Sequence, residues 1–212
     1  MSKLLAEFHD YLLPELPGCT VAMVNLHLVQ VAREFCQSTS AWRLTLDPIG
    51  LVAGQKTYDF DAPELQADPV RLTKMTVAGV LLWQYAEPKT ASRADTPKYQ
   101  RNEPPFTVSN DLTEITLAAD EVPAATLVAG MLLEGAFKPS ITATALPDFL
   151  RSQYLEAMRF GTLSRLMVMK KKWGDRDLAM RYASEWHSAL NFAAYQADVG
   201  NTRQPLRVRS YG

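Results

Sequence analysis

The feature that most limits how this chain can fold is a hydrophobic period that changes twice along it. Between Thr20 and Thr39 apolar residues recur at steps of three and four, which places them on one face of a helix. They are Val21, Val24, Leu28, Val31 and Phe35. From Trp42 the apolar residues alternate with polar ones, as in a strand. From Pro147 the period is helical again, so two helical regions flank a β-rich region.

The region 42–140 carries the strand signals. Tyr58 and Phe60 alternate with polar neighbours, and VRLTKMTVAGVLLWQY predicts a hairpin whose turn lies near Ala78 and Gly79. The stretches FTVS, TEITLA and TLVAGMLLEGAF indicate further strands. Residues 86–105 contain four prolines and few apolar side chains. We predict that they form a long loop that is mobile or faces a partner.

The last third of the chain predicts two consecutive helices. Pro147 suits the first helical position, and the apolar period then extends over residues 148–171, which gives a rod about 36 Å long. Asp175 is a good N-cap for a second helix that runs to about Val199, where Gly200 can close it. The predicted inner face of this second helix is Ala179, Tyr182, Ala183, Trp186, Leu190, Ala193 and Ala197.

Together these patterns predict an α+β fold. We expect a bundle of three main helices, with a β-rich insertion between the first long helix and the C-terminal helical hairpin. The bundle would comprise residues 1–41 and 141–200, and the insertion would comprise residues 42–140. An extended tail, 201–212, would follow. A short helical segment around Leu4–Leu13 would precede the first long helix.

The sequence KKKWGDRD, residues 170–177, has two interpretations. As a joint between helices, its lysines Lys170, Lys171 and Lys172 lie in the last turn of one helix, where the negative end of the helix stabilises cations. Gly174 would adopt the left-handed conformation, Asp175 would cap the next helix, and Trp173 would pack across the corner. The same cations could instead form a basic patch that binds nucleic acid, and both interpretations stay open at this point.

The charge balance limits the classes of partner. The chain has 22 basic and 23 acidic residues and a net charge of −1, so it has no overall attraction for nucleic acid or for an anionic membrane. We expect no signal peptide and no transmembrane span, because the N-terminal apolar stretch is interrupted by charges and ATLVAGMLLEGAF is too short. Cys19 and Cys36 are far apart and predict two reduced thiols.

No motif predicts catalysis, a metal site or a cofactor. GLVAGQKT has the wrong spacing for a phosphate-binding loop, and the strand pattern that follows it cannot supply the required helix N-terminus. His9, His27 and His187 lie in three separate predicted helices without metal-binding spacing. We therefore expect that the chain is not an enzyme. The weakest alternative is an enzyme of unknown class with its site in the loop 86–105.

Several motifs occur in a defined order along the chain. AREFC is followed by the aromatic-led strand WRLTL and by GQKTYD, and a β segment comes next. Then come PDFLRSQYLEA, GTLSRL, the corner WGD and a closing helix rich in aromatic residues and alanine. This order resembles that of the head-to-tail adaptor (connector) proteins of tailed bacteriophages. The resemblance covers most of residues 20–198 and is weakest at 62–140. These are packing and turn positions, so the resemblance carries over no catalytic residue.

The resemblance implies a structural virion protein. Such adaptors assemble as rings, usually of twelve copies, beneath the portal protein, where they extend the DNA channel and provide the attachment surface for the tail or nozzle protein. It implies a location at the head–tail junction of the virion after synthesis in the host cytoplasm. Viral DNA would pass through the channel without sequence-specific binding, no membrane would be involved, and Lys170, Lys171, Lys172 and Arg176 could contact the DNA channel or a partner.

The last twelve residues, NTRQPLRVRSYG, combine basic and apolar side chains without an acid. This composition is typical of a segment that orders on binding, and adaptors of the family commonly dock such a tail onto the portal. The expected docking residues are Arg203, Leu206, Arg207, Val208, Arg209 and Tyr211. The simpler interpretation is a frayed terminus. As an alternative function for the whole chain, a DNA-binding protein would use the basic corner 170–181, including Arg176 and Arg181.

Overall fold

The longest helices pack against one another in a unit built from both ends of the chain. The computed structural model describes residues 2–60, 66–82, 106–109, 112–119, 121–169 and 171–201, and these form an α+β protein with antiparallel sheets, as the change of period predicts. The described residues divide into two compact units, one from the ranges 1–42 and 138–212 and the other from 43–137.

Among the described residues, five α-helices belong to the first unit. They are α1 (His9–Leu12), α2 (Val21–Thr39), α3 (Asp148–Ser152), α4 (Leu155–Met167) and α5 (Arg176–Asn201). The predicted start of α2 is confirmed, because the Thr20 hydroxyl accepts a hydrogen bond from the backbone N–H of Met23 at 3.4 Å. The helix ends at Ser40, whose φ of 51° is left-handed. The apolar stripe of α2 is buried from Val24 to Phe35.

The prediction of a single helix over residues 148–171 is wrong. The chain leaves the helical conformation at Gln153 and Tyr154, and it forms α3 and α4 instead. Tyr154 adopts φ −124° and ψ 24°, and its ring lies 4.8 Å from the ring of Phe35 and 6.0 Å from that of Phe149, between ring centroids. These aromatic contacts account for the break, because a favourable tertiary contact can outweigh the local preference for helix.

The N-terminal segment is also less helical than predicted. Ser2–Leu4 forms strand β1, which pairs antiparallel with β10 (Ala145–Pro147), and two short 3-10 turns flank α1. The strand forms because its backbone groups find partners in β10, which propensity alone does not reveal. Four apolar side chains of the segment are nevertheless buried on one side, and they are Leu5, Phe8, Leu12 and Leu16.

The closing helix, α5, begins where it was predicted to begin and ends two residues later than the predicted end near Val199. The side-chain oxygen Oδ1 of Asp175 accepts a hydrogen bond from the Leu178 N–H at 3.0 Å, which confirms the N-cap. The expectation that Gly200 closes the helix is wrong, since α5 continues to Asn201. Glycine permits a left-handed stop but does not require one, and its presence inside a helix costs only about 1 kcal/mol. Asn201 therefore belongs to α5 and not to a tail.

The described part of the second unit consists of antiparallel strands, and the longest of these is β9 (Leu127–Pro139). The last two residues of β9 lie in the first unit. The other strands are β2 (Arg43–Thr45), β3 (Ile49–Leu51), β4 (Thr57–Asp59), β5 (Ala67–Val77), β6 (Val80–Leu82), β7 (Phe106–Val108) and β8 (Glu114–Leu117). One sheet has the order β2-β9-β5-β6, with β3 also paired to β9, and the other has the order β4-β8-β7.

The predicted hairpin is confirmed. Its turn residues Ala78 and Gly79 have φ values of 48° and 82°, and they join the paired residues Val77 and Val80. Two successive left-handed residues form the kind of two-residue turn that matches the twist of a hairpin. The side chains at the centre of this unit are fully buried, and they are Leu51, Met75, Ile115, Met131 and Leu133. The predicted loop 86–105 lies outside the described residues.

Candidate functional site

The basic corner connects α4 to α5 within one short turn. The backbone N–H of Asp175 donates to the carbonyl oxygen of Met167 at 3.0 Å, and the N–H of Gly174 donates to that of Lys171 at 2.9 Å. The first of these bonds satisfies the carbonyl of Met167, the last residue of α4, which has no partner within the helix. Trp173 is half-buried, and its ring nitrogen Nε1 has no hydrogen-bond partner among the described residues. The corner is therefore a hydrogen-bonded joint. The expectation that Lys171 and Lys172 lie in the last turn of the preceding helix is wrong, because α4 ends at Met167.

The predicted role of Gly174 is wrong. The backbone angle φ of Gly174 is not positive, so this residue does not form the left-handed cap that was expected. A Cβ atom at this position would instead collide with the carbonyl oxygen of Met169. The glycine is needed because two stretches of backbone approach each other closely, and not because of its conformational freedom.

The cations of the corner are exposed but are mixed with acids. Lys171, Lys172 and Arg176 have exposed side chains, and Arg181 is exposed one turn further along α5. The exposed carboxylates of Asp175 and Asp177 lie among them in sequence, which weakens the field that the cations produce. Lys170 lies outside the described residues. The corner can thus offer a few solvated cations to an anionic partner.

Replacing Lys170, Lys171 and Lys172 together with glutamine is expected to change the free energy of unfolding by about 1 kcal/mol or less, because exposed charges such as those of Lys171 and Lys172 contribute little. Urea denaturation followed by circular dichroism measures this. A loss of several kcal/mol would show that the lysines hold the joint together. The matched variant Asp175→Ala should cost about 1 kcal/mol, since it removes the N-cap hydrogen bond to Leu178.

A second polar cluster, which the sequence analysis missed, lies where the N-terminal segment meets α4 and α5. Arg159 on α4 donates from Nε and Nη2 to the Glu15 oxygen Oε1, the Nε contact being 3.0 Å. The Tyr182 hydroxyl on α5 donates to the other Glu15 oxygen at 2.5 Å. Arg159 also donates from Nη1 to Glu156 at 2.9 Å, and Tyr182 stacks on Phe160 with 5.6 Å between ring centroids.

The Glu15 carboxylate shifts the pKa of both its donors. The hydrogen bond to Glu15 is the main cause that raises the pKa of Arg159, and it is also the main cause that raises the pKa of Tyr182. A raised folded-state pKa for Tyr182 means that its contribution to stability is complete below the ordinary tyrosine pKa of about 10 and is lost as the pH rises through the folded-state value. This cluster ties three elements together.

Glu15→Gln is expected to lower the free energy of unfolding by about 1–2 kcal/mol. The substitution removes the negative charge that accepts the hydrogen bonds of Arg159, and the side chains of Glu15 and Arg159 are each less than one-third exposed. Glu156→Gln provides the control, since the Glu156 side chain is 60% exposed and contacts the same arginine. Its expected cost is below about 0.5 kcal/mol. Urea titrations of the two variants measure their free energies of unfolding. Equal losses of stability in both would contradict the prediction that Glu15 contributes more than Glu156.

No sequence signal could have found this cluster. Glu15 is 144 residues from Arg159 and 167 from Tyr182, and each residue type is ordinary for its local setting. The sequence also gives no signal for the contact between Arg165 on α4 and Glu34 on α2, whose partners are likewise far apart in the chain. Only the packing of the helices brings these charges together.

The histidines and cysteines do not converge on a site. His9 Nε2 lies 2.7 Å from Asn25 Oδ1, whereas His187 is exposed on α5. Burial lowers the pKa of His27, and the nearby Arg165 lowers it further. Cys36 is fully buried, and burial raises the pKa of its thiol far above the usual range, which makes it unreactive. Within the described ranges no group of three or more potential ligands could hold a metal ion.

The expected portal-docking residues Arg203, Leu206, Arg207, Val208, Arg209 and Tyr211 lie outside the described residues. Among the helices that the structure describes, none has the length and hydrophobicity that crossing a bilayer requires. Neither a scan against protein-family models nor a search of curated proteins finds a match to this chain.

Proposed function

We propose that the chain is a structural virion protein, a head-to-tail adaptor of a tailed bacteriophage. In this proposal copies of the chain, usually twelve in the family it resembles, assemble as a ring under the portal protein. The ring extends the DNA channel and provides the surface to which the tail or nozzle protein attaches. The role is structural and involves neither catalysis nor a cofactor, and it is performed at the head–tail junction.

The observation that carries the proposal is the match between the order of the motifs and the order of the elements. The AREFC motif lies in α2, GQKTYD leads into β4, and PDFL opens α3. GTLSRL lies within α4, and WGD forms the corner before α5. We propose accordingly that α2, α4 and α5 are the bundle of an adaptor and that the strands between them are its β-rich insertion.

The closing helix supports a protein that works in an assembly. Its predicted inner positions Ala179, Trp186 and Ala193 are buried, yet Met180, Phe192 and Tyr195 on other faces are each more than half exposed. Large apolar side chains in such positions are typical of surfaces that a neighbouring subunit covers. The mixture of cations and carboxylates at the basic corner also suits a channel wall along which DNA slides, because few phosphate contacts mean little resistance to movement.

The direct test mixes the purified chain with portal rings from candidate phages and examines the products by electron microscopy. The proposal expects a second ring attached to one face of the portal, with additional mass along the channel axis. A chain that stays separate from every portal tested, while a known adaptor binds its own portal under the same conditions, would contradict the proposal.

A truncation after Gly200 tests the docking tail. We expect the shortened protein to keep its thermal midpoint nearly unchanged, because the truncation removes only the last residue of α5, Asn201, and terminal residues after it, which contribute little to a core. It should nevertheless fail to attach to portal rings, since it lacks Arg203, Leu206 and the residues that follow. Differential scanning calorimetry and electron microscopy give the two measurements. Normal attachment of the truncated chain would contradict the docking role and favour the simpler interpretation, in which the tail is a frayed terminus.

The exposure of Lys171, Lys172, Arg176 and Arg181 favours a second candidate, a DNA-binding protein that uses the basic corner. Such a protein binds duplex DNA as a free chain, with an affinity that falls steeply as salt rises. Fluorescence anisotropy with a labelled duplex, measured at several salt concentrations, separates the two candidates. Tight, salt-dependent binding that disappears in the triple lysine-to-glutamine variant would favour this second function over the adaptor.

A further inference from the structure

The N-terminal segment is attached to the helical unit by contacts of several kinds. We call residues 2–16 the N-terminal arm. Its strand β1 pairs with β10, and four of its apolar side chains are buried. Glu15 near its end accepts hydrogen bonds from Arg159 on α4 and from Tyr182 on α5. Because backbone pairing, apolar burial and charge must all match at once, the arm is complementary to one surface, that of the helical unit of this chain.

A short hinge, residues 17–19, connects the arm to α2. None of the three hinge residues is buried. The backbone N–H of Cys19 donates to the carbonyl oxygen of Leu16 at 2.9 Å, which closes the hinge into a turn. At Gly18 an added Cβ atom would meet nothing within 4 Å beyond its chain neighbours. The hinge can therefore open without disturbing the core.

The closed turn is not the conformation that the hinge sequence prefers. A residue that precedes a proline prefers an extended backbone with ψ of about 120–160°. Leu16 precedes Pro17, and its ψ in this turn is 58°. The turn also requires a left-handed φ of 86° at Gly18. An extended hinge satisfies the preference of Leu16, and it spans about 13 Å between the Cα atoms of Leu16 and Thr20.

We propose that copies of this chain exchange their N-terminal arms, so that the arm of one copy lies on the helical unit of another. Such domain swapping keeps every contact of the arm, because the second copy offers the identical surface, and it changes only the hinge. The structure identifies the occupant of this surface, since the arm already lies there. The proposal concerns the free chain and holds whether or not the chain is an adaptor.

Cysteines placed opposite each other in β1 and β10 report which chain an arm lies on. Leu4 and Ala145 are paired in the antiparallel register, and residues paired in this way are close enough for a disulfide bond. One chain carries Leu4→Cys and the other Ala145→Cys, both with Cys19→Ser, and the two are produced together in the same cells. After oxidation, we expect a non-reducing gel to show disulfide-linked pairs of the two chains. Either chain produced alone measures linkage by random collision.

A single chain that carries both Leu4→Cys and Ala145→Cys, again with Cys19→Ser, gives the complementary measurement. An arm that stays on its own chain forms an internal disulfide, whereas exchange links two or more chains. We expect the linked share to rise with protein concentration, because the tether favours the closed form when other copies are scarce.

The substitution Gly18→Val tests the hinge in this double-cysteine chain. It should raise the linked share several-fold, because a β-branched residue rarely adopts the left-handed conformation that the closed turn requires. Gly54→Val is the matched control. Gly54 also has a positive φ, 79°, and open space at its Cβ position, but it lies in the other unit. The control should leave the linked share unchanged, and circular dichroism checks that each variant is folded.

Two results would overturn the proposal. One is internal linkage alone in the double-cysteine chain at every protein concentration, together with no linked pairs from the chains produced together. The other is an equal increase in linkage from Gly18→Val and Gly54→Val, because the linkage would then not depend on the hinge of the arm. Neither result decides whether the chain attaches to portal rings.

Discussion

Replacing Trp186 with alanine is expected to lower the free energy of unfolding by about 3–5 kcal/mol. The side chain is 4% exposed, and its ring lies 6.0 Å from that of Phe35 on α2. Its removal leaves a cavity where α2, α4 and α5 meet, because the surrounding side chains can fill only part of the vacated volume. Urea denaturation followed by far-ultraviolet circular dichroism gives the measurement.

The control for Trp186→Ala is Phe192→Ala on the same helix. Phe192 is 60% exposed, so its truncation should change the stability of the free chain by less than about 1 kcal/mol. If Trp186→Ala also cost less than about 1 kcal/mol, the inner face of α5 would be wrongly assigned. That result would also contradict the packing of α2, α4 and α5 around Trp186.

Gly161→Val is the second substitution with a large expected effect. A Cβ atom at Gly161 would lie 2.6 Å from Cγ1 of Val31 and 2.9 Å from Cε3 of Trp186, so any larger side chain forces two helices apart. We expect a loss of about 3 kcal/mol, near the upper end of what overpacking normally costs, even though removal of a glycine from a helix is itself favourable. Thermal unfolding of both proteins measures the loss.

A second substitution makes this prediction specific to the contact. Val31→Ala removes the methyl group nearest to position 161, so the double variant Val31→Ala/Gly161→Val should be more stable than the sum of the two single losses implies. Strict additivity would mean that valine at position 161 acts through something other than this contact.

The sequence predicted those parts of the fold whose cause is local. Asp175 was identified as a helix cap because a short polar side chain before an apolar period is a local signal, and its side chain accepts a hydrogen bond from the first turn of α5. The start of α2 near Thr20 was predicted from the apolar period that follows it. The hairpin turn at Ala78 and Gly79 was found for the same reason, since turn and alternating strands are neighbours in sequence. The α+β class follows from the period alone.

The parts that were not predicted depend on residues far apart in the chain. Tyr154 interrupts a helix because its ring packs on Phe35, which is more than 100 residues away. Glu15 meets Arg159 and Tyr182 only after the helices have packed. At the candidate site, the position of the corner was predicted correctly but the reason for Gly174 was not. Its requirement comes from the Met169 carbonyl oxygen, and sequence patterns do not report such a close backbone approach.

The construction of the helical unit from both ends of the chain has a consequence during synthesis. More than 100 residues separate the end of α2 from the start of α4, and α5 comes later still. At a translation rate of about 5–20 residues per second, α2 leaves the ribosome on the order of ten seconds before the helices that cover it. During that interval its apolar stripe, from Val24 to Phe35, faces water or a chaperone. Synonymous codons that slow translation between the two regions would lengthen that interval and increase aggregation of the nascent chain.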